Sequence, residues 1–167
     1  MTTQSIPFSL PTLQHVLTLQ VRIGQPDWMG QSIDGLRSNY RIVGGRFEGP
    51  QLSGQVLAGG ADFFVVRPDG TGEMNATYSL LTDEGELINL HNTGTLRISP
   101  KGQDLEQRGI WPIPDSEYHC TCTPRFQVPQ GRLSWLAQTA FIGQVRYPSG
   151  EDVEVQVYKL ASPGPGV

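Results

Sequence analysis

The stretch from Ile42 to Asp62, IVGGRFEGPQLSGQVLAGGAD, contains six glycines among residues that otherwise favour β-strand. A glycine inside a strand costs roughly 0.5–1 kcal/mol relative to alanine, so this run needs a structural reason. Closing a sheet into a small barrel requires sharp bends, which glycine or a β-bulge provides at strand corners. We therefore predict bends at Gly44–Gly45 and Gly59–Gly60 and a turn at Gly49–Pro50. Barrel closure alone accounts for these glycines without any ligand.

The rest of the chain alternates apolar and polar residues with a period of two, which is typical of half-buried strands. This pattern is clearest in LQHVLTLQVRI (13–23) and in DVEVQVYKL (152–160). Further strands are predicted over 39–48, 51–58, 61–67, 73–82, 86–98, 117–127 and 139–147. Short connectors such as RPDGTGE and YPSGED are typical of hairpins. Together these features predict an all-β fold, a single antiparallel up-and-down β-barrel of about 8–9 strands.

Three internal segments depart from this pattern. Residues 133–138 have helical spacing and predict one helical turn before the next strand. Residues 26–39 and 99–117 are interpreted as longer loops, and long loops in small domains are often functional. At a length of 167 residues we expect one domain over 1–167, with its core at about 10–160 and a flexible tail at 161–167.

Charge and motif content narrow the function classes. The net charge of -4 and the absence of a Lys/Arg cluster argue against a nucleic-acid partner. No run approaches the 18 apolar residues of a membrane helix, and the first 20 residues lack a signal-peptide pattern, so we expect a cytoplasmic protein without a membrane partner. No GxSxG, P-loop, dinucleotide or HExxH motif is present, which disfavours hydrolases, kinases and NAD enzymes.

The cysteines and histidines do not predict a metal site. Cys120 and Cys122 lie in HCTC, but the further spaced ligands of a metal site are missing. Residues i and i+2 share a strand face, so the pair is interpreted as two small residues packing side by side. We therefore expect no metal and no cofactor.

Asp62 is the main candidate for acid–base chemistry. In ADFFVV it shares one strand face with Phe64 and Val66, whereas Phe63 and Val65 lie on the other, so both faces are apolar. Burial disfavours the carboxylate anion and raises its pKa, which suits a proton donor or acceptor. The structural alternative is that Asp62 accepts backbone N–H bonds at the Gly59–Gly60 bend. Glu48 is a candidate second catalytic carboxylate, although spacing does not show that the two meet.

Aromatic and basic residues supply candidate ligand contacts, each with a structural alternative. Tyr78 is a candidate catalytic residue and Tyr118 a candidate binding residue, since their hydroxyls can orient a ligand. The structural alternative for both is a core aromatic ring with one polar tip. Phe64, Trp111 and Trp135 can wall a cavity or pack in the core. Arg41 and Arg125 can bind a carboxylate or phenolate, although a solvated arginine is the usual case.

Three blocks resemble, in order, the bacterial and fungal family called domain of unknown function 3237. They are YRIVGGRFEGPQLSGQVLAGGADF, ATYSLLTDEGELI and YHCTCTPRFQVPQGRLSWLAQTAFIGQV, and the resemblance spans roughly residues 10–160. It implies a single antiparallel barrel with a lipocalin-like interior and no settled biochemical function. Family members often carry Arg where this chain has Thr77 and Asn where it has Ala137. If those positions serve a shared chemistry, this protein has altered it.

Three functions are compatible with this sequence. The first is a cofactor-independent isomerase, lyase or cyclase acting on a small apolar or aromatic metabolite inside the barrel, because enclosure supplies positioning and desolvation. The second is a non-catalytic, lipocalin-like binding protein. The third is an interaction domain with a filled barrel. A homodimer is possible for each.

Overall fold

Ten strands and three short helical segments follow one another in the computed structural model, which describes residues 10–161. The strands are β1 (Thr12–Ile23), β2 (Asp27–Ser32), β3 (Gly35–Glu48), β4 (Gly54–Val56), β5 (Ala61–Val66), β6 (Gly72–Thr82), β7 (Leu87–Ile98), β8 (Tyr118–Gln127), β9 (Phe141–Arg146) and β10 (Asp152–Ala161). The helices are α1 (Pro100–Gln107) and α2 (Ser134–Ala137), with a 3-10 turn at Asp115–Glu117. The all-β prediction is confirmed. Most of the expected tail, residues 162–167, lies outside the described residues.

The strands form one closed antiparallel barrel. Around the sheet the order is β1-β10-β9-β8-β7-β6-β4-β3, and β1 also pairs with β3, which closes the ring. Two positions in the ring are each occupied by two successive strands, one by β1 and β2 and the other by β4 and β5. β1 pairs with the C-terminal half of β3 and β2 with its N-terminal half, while β4 and β5 divide the other side of β3 in the same way. The ten strands therefore make an eight-stranded up-and-down barrel.

The glycines of the opening stretch lie where β3 exchanges these neighbours. The register of β1 on β3 shifts by one residue between the pairs Arg22–Gly44 and Ile23–Ile42. Gly45 has a φ of 142°, and a Cβ added there would lie 2.0 Å from the Gln20 carbonyl oxygen, so only glycine lets β1 approach β3 this closely. The bends predicted at Gly44–Gly45 and Gly59–Gly60 are confirmed.

The shift reverses the alternation along β3. Ile42 and Phe47 are five residues apart in the strand, yet both are buried in the same core. In a regular strand, residues an odd number apart point to opposite faces, so the bulge turns the inward face over. This reversal decides on which side of the barrel wall the polar residues of β3 lie.

Two predicted loops are partly regular structure. Residues 26–39 contain β2 and the start of β3, which form a projecting hairpin. Its residues are largely exposed, so it lacks the alternation that would have revealed it. Residues 99–117 contain α1, where Ser99 caps the helix by accepting a hydrogen bond from the Gly102 N–H and Pro100 opens it. The helical turn predicted over 133–138 is confirmed as α2.

Candidate functional site

The interior of the barrel has two unlike ends. At the end covered by the α2 segment, which we call the closed end, Leu80, Ile88, Leu133 and Leu136 are completely or almost completely buried. Packing of this density leaves no room for a ligand. The interior of the closed end therefore supplies stability rather than a binding site.

At the other end, several inward-facing residues are only half-buried, although others such as Met74 and Cys120 are buried. We call this end the mouth and define it by Tyr40, Asp62, Phe64, Tyr118 and Tyr147. The Tyr40 and Phe64 rings pack edge to face at 6.1 Å, and the Tyr118 and Tyr147 rings do so at 5.5 Å. Aromatic walls around a few polar groups are typical of small-molecule sites.

The hairpin of β2 and β3 extends the wall beyond the mouth. Trp28 is paired with Ser38, a buried residue of the inner face, and is nevertheless 67% exposed. Leu36, also on the inner face, is 43% exposed. The inner face thus continues into an apolar lip that is open to solvent.

Asp62 lies on the inner face of β5, between Tyr40 of β3 and the buried Ala76 of β6. The β5–β6 ladder is interrupted at Phe63 and Phe64. In this gap the Asn75 N–H donates a hydrogen bond to Asp62 Oδ1 at 2.7 Å. Burial raises the pKa of Asp62 to about 6, and the Asn75 N–H opposes the shift. The carboxyl group can therefore both accept and release a proton near neutral pH.

The structural alternative for Asp62, in which its carboxylate accepts N–H bonds at the Gly59–Gly60 bend, is wrong about the hydrogen-bond donor. The Gly59 N–H donates to the Ile42 carbonyl at 2.9 Å, so the bend is stabilised by the backbone of β3. Asp62 instead binds an N–H group on the strand across from it.

Two further polar groups share the interior with Asp62. Tyr78 is buried, and its pKa is raised by burial and by the nearby Cys122 and Asp62, with no hydrogen bond contributing. Asn92 is paired with Ala76, beside Asp62, and is buried. Its Oδ1 has no hydrogen-bond partner within residues 10–161. Burying an amide oxygen without a hydrogen-bond partner costs free energy, so the Asn92 side chain is a candidate polar contact for a ligand.

Sulfur atoms line the wall between Asn92 and the mouth. Cys120 Sγ lies 3.8 Å from Met74 Sδ and 3.6 Å from the Tyr147 hydroxyl. Burial raises the pKa of Cys120 to about 12 and that of Cys122 to about 11. Both thiols are therefore neutral and poor nucleophiles at neutral pH. Both are free and buried on the same strand face, so their predicted packing is confirmed.

The loop after α1 is fastened to the mouth through Tyr118. Its hydroxyl donates to Asp115 Oδ1 at 2.7 Å and accepts from the Tyr147 N–H at 3.2 Å. Trp111 of the same loop packs on the Tyr147 ring at 5.2 Å. Trp111 and Tyr118 are thus brought together through the Tyr147 ring, while Phe64 packs on Tyr40 in another part of the mouth.

Four other candidate residues lie elsewhere. Glu48 is exposed, and because it lies eight residues along β3 from Tyr40, the partner of Asp62, it is about 26 Å away. The hypothesis that Glu48 and Asp62 form a pair is therefore wrong. Arg41 points outward and pairs with Asp27 at 2.7 Å. Arg125 is on the outer face of β8, and Trp135 packs on Phe141 at the closed end, so none of the four lines the mouth.

Three residues of the mouth region were missed in the sequence. Asn92 follows Ile88 and Leu90 on the buried face of LINLHN, so a polar residue on an apolar face was a usable signal. Tyr40 and Tyr147 carried no such signal, because Tyr40 comes just before the bulge that breaks the alternation of β3 and Tyr147 comes directly after the end of β9.

Two grooves lie on the outside of the barrel. One, of about 530 Å³, is lined by outward threonines of β7 and β8 together with Arg37 and Phe63. The other, of about 610 Å³, lies between the outer face of β6–β8 and the α2 segment, and we call it the overhang groove. Thr77 and Ala137, the two departures from the family pattern, both line the overhang groove. They are therefore not part of the mouth.

Residues 10–161 contain no cluster of three or more His, Cys, Asp or Glu side chains that could hold a metal ion. None of the helices described is long and apolar enough to cross a membrane.

These features define a class, a closed eight-stranded antiparallel barrel with a packed end and a polar, aromatic mouth. The chain belongs to the family described as a protein of unknown function (DUF3237), whose model matches residues 11–160. A UPF0311 protein of Rhodopseudomonas palustris is 33% identical over 135 residues, covering 80% of this chain and 88% of that protein. A UPF0311 protein of Clostridium acetobutylicum is 29% identical over 150 residues, covering 89% and 93%.

Solved structures agree with this fold. The crystal structure of a conserved protein of unknown function from Rhodopseudomonas palustris matches with a TM-score of 0.83 and 30% identity, covering 91% of this chain and 99% of that one. A beta-barrel like protein from Acinetobacter baumannii matches with a TM-score of 0.80 and 28% identity, covering 93% and 99%. A structure described as an enzyme from Penicillium herquei has a TM-score of 0.64 at 18% identity, covering 94% and 99%, and shares the fold.

Proposed function

We propose that this protein is an enzyme that isomerises, cyclises or eliminates from a small, largely apolar or aromatic metabolite bound at the mouth, with Asp62 as the acid–base group. The observation that supports it is the position of Asp62, a half-buried carboxyl on the inner face whose pKa is about 6. A binding protein for an apolar ligand has no need of a carboxyl that costs free energy to ionise there.

The chemistry follows from the neighbouring groups. Asp62 takes a proton from a carbon or hydroxyl of the substrate and returns it at another atom, so an isomerisation or ring closure balances without a further reactant. In an elimination the departing group leaves with its bonding electron pair and takes up the proton that Asp62 removed. The Tyr78 hydroxyl and the Asn92 amide are suited to orient the oxygen on which charge develops. Aromatic walls hold a flat substrate and keep water from it.

The alternative is a non-catalytic carrier that uses the same mouth. The exposed apolar lip at Trp28 and Leu36 favours uptake of an apolar molecule in either case. Only the role of Asp62 separates the two functions. That one barrel of this fold is described as an enzyme is in keeping with the proposal.

The test is native mass spectrometry of the protein purified from its own host, followed by identification and incubation of any small molecule that co-purifies. Asp62→Asn is compared with Glu48→Gln, the same change on an exposed acid outside the barrel. Conversion that Asp62→Asn abolishes and Glu48→Gln retains supports the enzyme.

Two other outcomes overturn the proposal. A bound molecule that is never converted, and that Asp62→Asn binds as tightly, identifies a carrier. Purification with no bound molecule, together with no affinity for apolar aromatic probes, identifies a filled barrel.

A further inference from the structure

The overhang groove arises from a mismatch in strand length. Cys122 of β8 is paired with Gly143 of β9, so by register Pro124 lies opposite Phe141, the first residue of β9. Residues 125–127 of β8 therefore run past the start of β9. The α2 segment lies beside this overhang, and the groove between them has a volume of about 610 Å³, within the range of small-molecule sites.

Polar side chains form one wall of the groove. Thr77, His91 and Arg125 are register neighbours across β6, β7 and β8, and all three are exposed on the outer face. His91 Nε2 is held at 2.8 Å by Asn75 Oδ1, which fixes the imidazole ring in the wall. Ala137 and Thr139 line the opposite side. The groove thus has a fixed polar wall and a wall of small side chains.

Arg125 is the group of this wall that lacks a partner. Seven of the ten arginines pair with carboxylates: Arg22, Arg37, Arg41, Arg67, Arg108, Arg132 and Arg146. Arg125 forms no such pair within residues 10–161. In contrast, Asn89 and Gln127 bind each other at 3.2 Å, and Thr139 donates to the Trp135 carbonyl at 2.7 Å. The Arg125 guanidinium is therefore the polar group of the groove that is best suited to bind a ligand.

We propose that the overhang groove is a second binding site, separate from the mouth, for a small organic molecule that carries one carboxylate. A guanidinium binds a carboxylate through two parallel hydrogen bonds, and its single charge matches a monoanion. Phosphate sites normally add further cations or several backbone N–H groups. His91 and Thr77 supply further polar contacts, and Ala137 leaves space for the body of the ligand.

The groove and the mouth lie on opposite faces of the same wall. Asn75 connects the two, because its N–H donates to Asp62 Oδ1 inside and its side-chain oxygen is hydrogen-bonded to His91 outside. Binding at the groove does not require Asp62 itself. The second site is therefore testable whether or not the proposed enzymatic function is correct.

The test is calorimetric titration of the full chain with benzoate, a planar monocarboxylate, and mapping of the contact by ¹H–¹⁵N NMR shifts. Benzamide serves as the uncharged analogue and inorganic phosphate as a second anion. Arg125→Gln is compared with Arg97→Gln, which removes another exposed arginine without a carboxylate partner.

We expect benzoate to bind, with benzamide and phosphate each weaker by about tenfold or more. Arg125→Gln should weaken benzoate binding by a similar factor, whereas Arg97→Gln and Asp62→Asn leave it unchanged. The largest NMR shifts should fall at Thr77, His91 and Ala137.

Several results overturn the proposal. They are no benzoate binding at about 20 mM, equal weakening by the two arginine substitutions, and shifts confined to the mouth. Benzamide binding as tightly as benzoate removes the role of the charge. Phosphate binding as tightly as benzoate overturns the assignment to a carboxylate.

Discussion

The two ends of the barrel are built from the same strands but have opposite chemistry. At the closed end, β6 and β7 contribute Leu80 and Ile88, both with 0% exposure. Toward the mouth, the inner faces of the same two strands carry Tyr78 and Asn92, neither of which has a full set of hydrogen bonds within the described part of the chain. Well-packed apolar ends can stabilise a barrel whose other end holds polar groups at a cost. The difference indicates that stability and chemistry are separated along the barrel axis.

The largest expected effect tests the closed end. Leu80→Ala removes a completely buried side chain from a packed core, so we expect the free energy of unfolding to fall by about 2–5 kcal/mol. Chemical denaturation measures this loss. Leu87→Ala, at an exposed position of the neighbouring strand, should change it by less than about 0.5 kcal/mol. Similar losses for the two variants would contradict a packed closed end.

The second prediction concerns the glycine bend that sets the inward face of β3. Gly44 and Gly45 have φ values of 145° and 142°, so alanine strains both by about 1–2 kcal/mol. Only at Gly45 does the added Cβ meet the Gln20 carbonyl oxygen, at 2.0 Å, whereas at Gly44 the nearest atom is 3.8 Å away.

Gly45→Ala should therefore destabilise the protein by about 1–3 kcal/mol more than Gly44→Ala, measured by denaturation under the same conditions. Equal losses would mean that β1 does not approach β3 as closely as described.

The third prediction is a gain in stability rather than a loss, and it tests the mouth. The pKa of Asp62 is raised to about 6 in the folded protein, so the folded state binds the proton more tightly than the unfolded state. The contribution of this group to the free energy of unfolding is fully present below pH 4 and is lost as the pH rises through 6. Asp62→Asn, which cannot ionise, should therefore exceed the wild type in stability by about 3 kcal/mol above pH 7.

The gain should disappear near pH 4, which denaturation measured across pH 4–8 will show. Glu48→Gln removes a negative charge from the outer surface and controls for the change in net charge. A gain from Asp62→Asn that is the same at all pH values would contradict the burial of the carboxyl.

The smallest effect concerns the attachment of the loop to the mouth. Tyr118→Phe removes the hydroxyl that joins Asp115 to the Tyr147 N–H, which should cost about 1 kcal/mol of unfolding free energy. Amide hydrogen exchange of Tyr147 should become faster. Tyr158→Phe, which removes a hydroxyl whose one hydrogen-bond partner among residues 10–161 is Gln156, is the matched control. No change in exchange at Tyr147 would contradict a role of the Tyr118 hydroxyl in holding the loop.

Much of the fold was predictable from local sequence. The alternation in β1 and β10 predicted their strands, because each has one face in the core along most of its length. The β2 hairpin was missed because its residues are exposed on both faces and no alternation arises. Asp62 was identifiable from its apolar neighbours. Its partner was not, since Asn75 comes from another strand.

The sequence by itself determined a closed antiparallel barrel, the glycine bends that close it and the identity of the acidic residue at its wall. Only the tertiary structure decided which candidates share the interior. The one-residue register shift at Gly44 turns the inward face of β3 over, so Tyr40 joins Asp62 inside while Glu48 lies outside. A period of two specifies that residues alternate between faces but not which face is the inner one, and a single bulge reverses the assignment for the rest of the strand.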